Sequence, residues 1–203
     1  VVILYKVTRR QLYDFNRPAE AILLWESLSP DKKQWLWSTQ NIFWEYMGLL
    51  FDAYTRIGKA QTAESFVGAL LNDPATPPEG LACVGIPYGQ WLILKRRIQD
   101  AQDLFSRLIK AAPNHSLCAY AYYWKALAAY NAGDLKTMEK FVGCLRRAQG
   151  SSLGVLAKWD LDAKALLLHM GLNVEAAAKE IKGYTPARLN YLRSEIVREQ
   201  GLL

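Results

Sequence analysis

The sequence predicts an all-α fold, a right-handed superhelical array of about five helix hairpins closed by a C-terminal capping helix. Three observations lead to it. Leu and Ala dominate the 51% of residues that are hydrophobic, and β-branched residues are sparse beyond the first few positions, a balance that favours helix over sheet. Apolar residues recur at helical spacing in one stretch after another. A small or apolar residue opens the second helix of each pair at Ala21, Ala63, Ala101, Met138 and Ala176, in steps of 42, 38, 37 and 38 residues. Self-similarity at a fixed period marks a repeat architecture. The 203 residues suffice for one core or one elongated array and are read as a single domain, 1–203. An aromatic content of 12% lets the chain bury enough surface to offset the entropy of ordering, so disorder is not expected.

The first hairpin runs from Tyr5 to Phe15 and from Pro18 to Leu28, with Ala21 and Trp25 on its stripe. Ser29-Pro30-Asp31-Lys32-Lys33-Gln34 reads as a turn capping a further helix that begins near Asp31. The second hairpin begins with Phe43 to Ile57, where Met47, Leu50, Phe51 and Tyr54 share a face. Gly58 stops that helix, as a residue just past a helix end does. Ala63, Phe66, Val67, Leu70 and Leu71 form the next stripe, and Pro74 ends it. Asn72 to Pro87 holds four prolines and two glycines and is expected to be a long irregular loop. Pro87 belongs at the start of a helix, which places the next first helix at Tyr88 to Arg97. Its partner carries Ala101, Phe105, Leu108 and Ile109 and closes at Ala111-Ala112-Pro113-Asn114. The fourth pair runs through Tyr120 to Tyr130, turns at Asn131 to Asp134, and continues with Met138, Phe141, Val142 and Leu145. Gly150-Ser151-Ser152 is a link with an N-cap serine before Leu153 to Met170, Gly171, and Val174 to Ile181. A last helix from Ala187 to Glu199 follows Thr185-Pro186 and caps the array with Leu189, Leu192 and Ile196 turned inward.

These residues reach a family. Tyr54, Gly58, Ala63 and Pro74 in one unit, Gly89, Ala101, Phe105 and Pro113 in the next, and Gly133-Asp134 in a third resemble tetratricopeptide repeats, helix-turn-helix units of about 34 residues. The chain departs from that pattern in three ways. The leading Trp-x-x-Leu-Gly signature is absent in full from every copy, the period is longer, and Met138 replaces a small residue. The resemblance implies a tetratricopeptide-like α-solenoid that binds a protein or peptide on a concave face lined by its first helices. It implies a scaffold without catalysis.

On those first helices, Tyr120, Tyr123, Leu127 and Tyr130 recur at i+3, i+4 and i+3 and form one stripe. Tyr122, Ala126 and Ala129 form a second stripe that serves the core. An aromatic stripe suits peptide anchoring, since Tyr offers a large apolar area with a polar tip; packing against the next repeat is the competing use. Lys6 and Arg10 offer charge on the first helix. In one subgroup of the resembled family, Lys and Asn clamp a C-terminal carboxylate. Here Glu45 and Asp52 on the following first helix would repel one. Trp35, Trp37 and Trp44 form another aromatic cluster, for core packing or for an interface.

The remaining features narrow the function by what they fail to supply. Net charge is +6, but it is scattered; Lys95-Arg96-Arg97 is the longest basic cluster. The mixed charge and uneven period argue against a nucleic-acid strip or code. Cys83, Cys118 and Cys144 are widely spaced and odd in number, which argues against a disulfide framework and for buried thiols in a reducing, cytoplasmic setting. No stretch of 18 apolar residues is present, so no membrane insertion is expected. The start, Val1-Val2-Ile3-Leu4-Tyr5, is no signal peptide and reads as a chain entered mid-stream. His115 and His169 have no ligand at i+3 or i+4, and Asp160 and Asp162 face different ways on a helix. No phosphate-binding glycine loop or nucleophile elbow occurs. Neither cofactor nor metal is expected, and an enzyme is not. The alternative to a binding scaffold is a structural or homo-oligomerising module of a larger assembly.

Overall fold

The computed structural model describes residues 2–38, 40–148 and 155–203. The expected serine-capped link at Gly150 to Ser152 lies outside the described residues. Among the described residues the chain is helical throughout, with turns between helices and no strand. It divides into two compact units, Val1–Tyr88 and Gly89–Leu203.

In the first unit, α1 (Val2–Arg9) runs into a π-helical turn, Arg10–Asp14. Then come α2 (Pro18–Glu26), α3 (Pro30–Ser38), α4 (Gln40–Arg56) and α5 (Ala60–Asn72). Pro18 and Pro30 each open a helix, where a missing N–H costs nothing. α4 is the hub, packing on α1, α2, α3 and α5. Leu12, Ala21, Ile22, Leu49 and Ala53 form a buried cluster there, with Tyr5, Tyr54 and Ile57 packed around it. The helix expected near Asp31 is α3. Of the three tryptophans grouped in the sequence, Trp44 is buried while Trp35 is 55% exposed. The side chain of Trp37 lies outside the described residues.

The loop expected over Asn72 to Pro87 is instead mostly helix. α6 spans Pro78–Leu94, with Pro87 inside it. The connecting turn is short and self-bonded: Asp73 accepts from the Ala75 amide at 2.8 Å, and Thr76 donates to the Leu70 carbonyl at 2.7 Å. Pro78 starts the helix rather than breaking it. Proline at 87 removes the bond to the Cys83 carbonyl, and that oxygen turns toward Gly48 of α4. A Cβ on Gly48 would lie 2.9 Å from it. Gly80 has the same logic, since its missing Cβ would sit 2.6 Å from the Trp44 ring. Gly80, read as a loop former, is a point of close helix contact.

The second unit takes the rest of α6, then α7 (Ile98–Ala111), α8 (Cys118–Asn131), α9 (Leu135–Ala148), α10 (Val155–His169), α11 (Val174–Glu180) and α12 (Pro186–Gln200). α8 packs most extensively on α9 and also on α7. α10 touches α8, α9, α11 and α12, and α12 reaches back to α8. α12 is well started: Thr185 accepts from the Arg188 amide at 3.2 Å and Pro186 is its first residue.

The same turn recurs between several consecutive helices. Gly58, Arg96, Gly133 and Gly171 all have left-handed backbone, with φ of 78°, 61°, 74° and 59°. After each, the next amide bonds back five residues: Lys59 to Tyr54, Arg97 to Leu92 and Asp134 to Ala129 at 2.9 Å, and Leu172 to Leu167 at 2.7 Å. The left-handed residue itself bonds back three: Gly58 to Thr55, Arg96 to Ile93, Gly133 to Tyr130 and Gly171 to Leu168. This paired closure of the last carbonyls is the Schellman motif. In the first hairpin Asn16 takes the left-handed role with φ 51°. There the π turn adds a residue, and the Arg17 amide bonds back six, to Gln11.

One register expectation is corrected here. Leu172 is also left-handed, with φ 64°, so the last turn carries an extra residue. Ala177, fully buried, fills the place expected for Ala176.

Candidate partner-binding surface

The tyrosine stripe of α8 is not an open groove. Tyr123 is 2% exposed and Leu127 is 0% exposed. The Tyr123 hydroxyl donates to the Glu199 carboxylate on α12, and the Lys164 ammonium of α10 stands 5.3 Å over its ring. Lys164 Nζ also reaches Glu199 Oε1 at 2.8 Å and Glu195 Oε2 at 3.3 Å. Leu189, Leu192 and Ile196 of α12 are fully buried, so one face of that helix turns inward and the two acids, four residues apart, flank it. The end of α12 is tied as well. Asn131 and Gln200 exchange two hydrogen bonds, at 3.3 and 2.9 Å. Arg96 donates to the Gly201 carbonyl at 2.5 Å. Tyr120 and Tyr130 remain half-buried at the two ends of the stripe. Tyr122, Ala126 and Ala129 are core, as expected.

Burial, and then the Glu199 charge, push the Tyr123 phenol well above its ordinary value. Burial and Asp160 push Tyr184 up to about 12, and Arg188 pairs with the same Asp160 at 2.6 Å. The unfolded phenols lose their protons near the ordinary tyrosine value of about 10, while the folded ones keep theirs. Their stabilisation is therefore complete below about pH 10 and is lost as pH rises from there through the folded values. Stability to denaturant is expected to fall across that alkaline window. Tyr184→Phe should flatten the fall; an unchanged slope would remove Tyr184 from the account.

In the first unit, Lys6 and Arg10 are exposed on α1 and its π turn. Glu45 and Asp52 do not oppose them as a free acidic pair. Asp52 forms a bidentate pair with Arg56, both N–O distances being 3.0 Å, and it accepts from Tyr13, whose ring lies 5.2 Å under the Arg56 guanidinium. Glu45 is exposed and acts on the Tyr5 hydroxyl by charge and hydrogen bond. Tyr5 and Tyr13 are eight residues apart, whereas Glu45 and Asp52 are seven apart. The π turn between the tyrosines absorbs the extra residue and keeps both in register with α4. Thr8, fully buried, donates to the Tyr46 hydroxyl at 3.2 Å on the same contact.

A surface pocket of about 400 Å³ lies in the second unit, lined by Arg146, Asp162, Leu166, Glu180 and Ile181. Cys118 is buried and its thiol is raised to about 11 by desolvation. Cys83 and Cys144 are only half-buried, less enclosed than expected, and among the described residues none of the three forms a disulfide. Among the described residues, no three His, Cys, Asp or Glu gather as metal ligands, and no helix is long and apolar enough to cross a membrane. No protein-family model matches the chain, and neither a characterised protein nor a solved structure is significantly similar to it.

Proposed function

We propose that this chain is a non-catalytic, tetratricopeptide-like scaffold that binds a protein or peptide on the face presented by its first helices. The observation that carries the reading is the repeated turn: left-handed residues at 58, 96, 133 and 171, each closing a first helix with the same two backbone bonds. A hairpin rebuilt at a steady period is the unit from which helical repeat arrays are made, and such arrays bind partners on surfaces lined by one helix of each pair. Exposed Glu45 and half-buried Tyr120 and Tyr130 lie on such helices. Tyr123 lies beneath that surface, bonded to Glu199 of α12, and Leu127 is buried with it, so neither is assigned to ligand contact.

The test starts from a partner recovered by proximity labelling and then purified. Calorimetry with Glu45→Lys and Tyr130→Ala is expected to show affinity reduced about tenfold for at least one of them, the loss typical of one interface residue. Wild-type affinity in both variants, with folding intact, would remove the first-helix face from the account.

A further inference from the structure

We infer that the outward face of α1 is a docking surface for an acidic amphipathic helix of a partner protein. α1 is the first helix of the first hairpin, so the inference rests on the reading above and names the partner chemistry for its α1 part.

α1 is two-sided. Thr8 and, in the π turn, Leu12 are fully buried, and Tyr5 packs against the core cluster. On the opposite side of the helix, Ile3 is 79% and Val7 37% exposed. Lys6 and Arg10 are exposed between and beyond them. The result is an apolar pair at i, i+4 interleaved with a basic pair at i, i+4, so all four side chains share one helical face. Among the described residues, the side chains of Lys6 and Arg10 make no ion pair or hydrogen bond. Two bare cations beside two bare aliphatic side chains ask for the complementary pattern: a helix with an aliphatic stripe flanked by carboxylates.

The chain shows that pattern being used. α12 is an amphipathic helix whose Leu192 and Ile196 are buried while Glu195 and Glu199, four residues apart, both close on Lys164. The α1 face offers the same chemistry with two cations in place of one, and its Ile3 and Val7 are exposed. A second copy fits less well. The outer side of α12 exposes Arg188, Arg193 and Arg198 and would meet Lys6 and Arg10 with like charge.

The experiment uses the full chain and two synthetic helical peptides with one leucine stripe, one flanked by glutamates and one by lysines. Calorimetry is expected to show binding of the glutamate peptide alone. In Lys6→Glu plus Arg10→Glu its affinity should fall about tenfold or more, and the lysine peptide should now bind. Ile3→Ser should weaken the glutamate peptide without inverting the charge preference. Glu45→Lys and Tyr130→Ala should leave this binding unchanged, so a failure at α1 is told apart from a failure at the α4 and α8 faces. Both positions of the charge swap are exposed, and circular dichroism checks that the fold is kept. Failure of the glutamate peptide to bind, or equal binding by wild type and the charge swap, overturns the inference. It is equally overturned if phosphatidylserine vesicles sediment the chain while the peptide does not bind. A dimer in sedimentation velocity that the charge swap disperses overturns it in favour of a second copy.

Discussion

Lys164→Met is expected to loosen the C-terminal helix and to destabilise the second unit by about 3 kcal/mol, the low end of the cost of breaking a buried ion pair. The reasoning runs from solvation. Lys164 is 8% exposed overall. The Glu195 and Glu199 side chains beside it are 23% and 15% exposed. Removing the ammonium leaves two partly desolvated carboxylates four residues apart with no cation between them. Leu189, Leu192 and Ile196 bury in register with those acids, so lifting the acids toward water lifts the apolar face with them. Hydrogen exchange should rise along α12 while α9 stays protected. Tyr123→Phe removes one hydrogen bond from the same group and should cost about 1 kcal/mol. The triple variant Lys164→Met, Glu195→Gln, Glu199→Gln carries no unpaired charge and should regain most of the loss. A Lys164→Met protein with the wild-type denaturation midpoint would show that Lys164 does not hold α12.

That network explains why the fold was more legible than the surface. Hydrophobic periodicity depends only on neighbours along the chain, so it located the helices around Met47, Phe105, Tyr123 and Leu192 and grouped the faces correctly. Gly58, Gly133 and Gly171 announced their turns because left-handed backbone favours glycine. Arg96 occupies the same conformation without any such signal, and its side chain donates to the Gly201 carbonyl far along the chain. α6 was hidden for the opposite reason. Its prolines and glycines carry loop statistics, but Pro78 opens the helix and Gly80 admits the Trp44 ring. The one-residue shift to Ala177 came from Leu172, whose left-handed φ nothing in its side chain foretells. For Tyr123, Leu127 and their neighbours, periodicity says which residues look the same way. It cannot say what they look at. Tyr123 meets Glu199, which is 76 residues away, and that pairing turns a supposed groove into the seat of the capping helix.

Gly89→Val should destabilise the second unit by about 3 kcal/mol, at the upper end of what overpacking a filled core costs. A Cβ at position 89 would lie 2.3 Å from Phe105 Cε1 and 2.8 Å from Cζ. Phe105 is 0% exposed, so its ring has nowhere to go without moving α7. Gly89→Ala brings the same first methyl but gains about 1 kcal/mol of helix propensity, and should lose less in total. Gly68 of α5 is the control. A Cβ there meets nothing within 4 Å, so Gly68→Ala should gain between about 0.5 and 1 kcal/mol. Opposite signs for two helical glycines that local composition does not distinguish would trace the effect to the ring of Phe105. Phe105→Leu in the Gly89→Val background should return part of the loss, a coupling that two independent sites would not show. If the double variant instead loses the sum of its single changes, Gly89 and Phe105 do not touch as described. The pairing matters beyond stability. The contact seats a ring on α7 against bare backbone on α6, and so sets how closely those two consecutive helices pack.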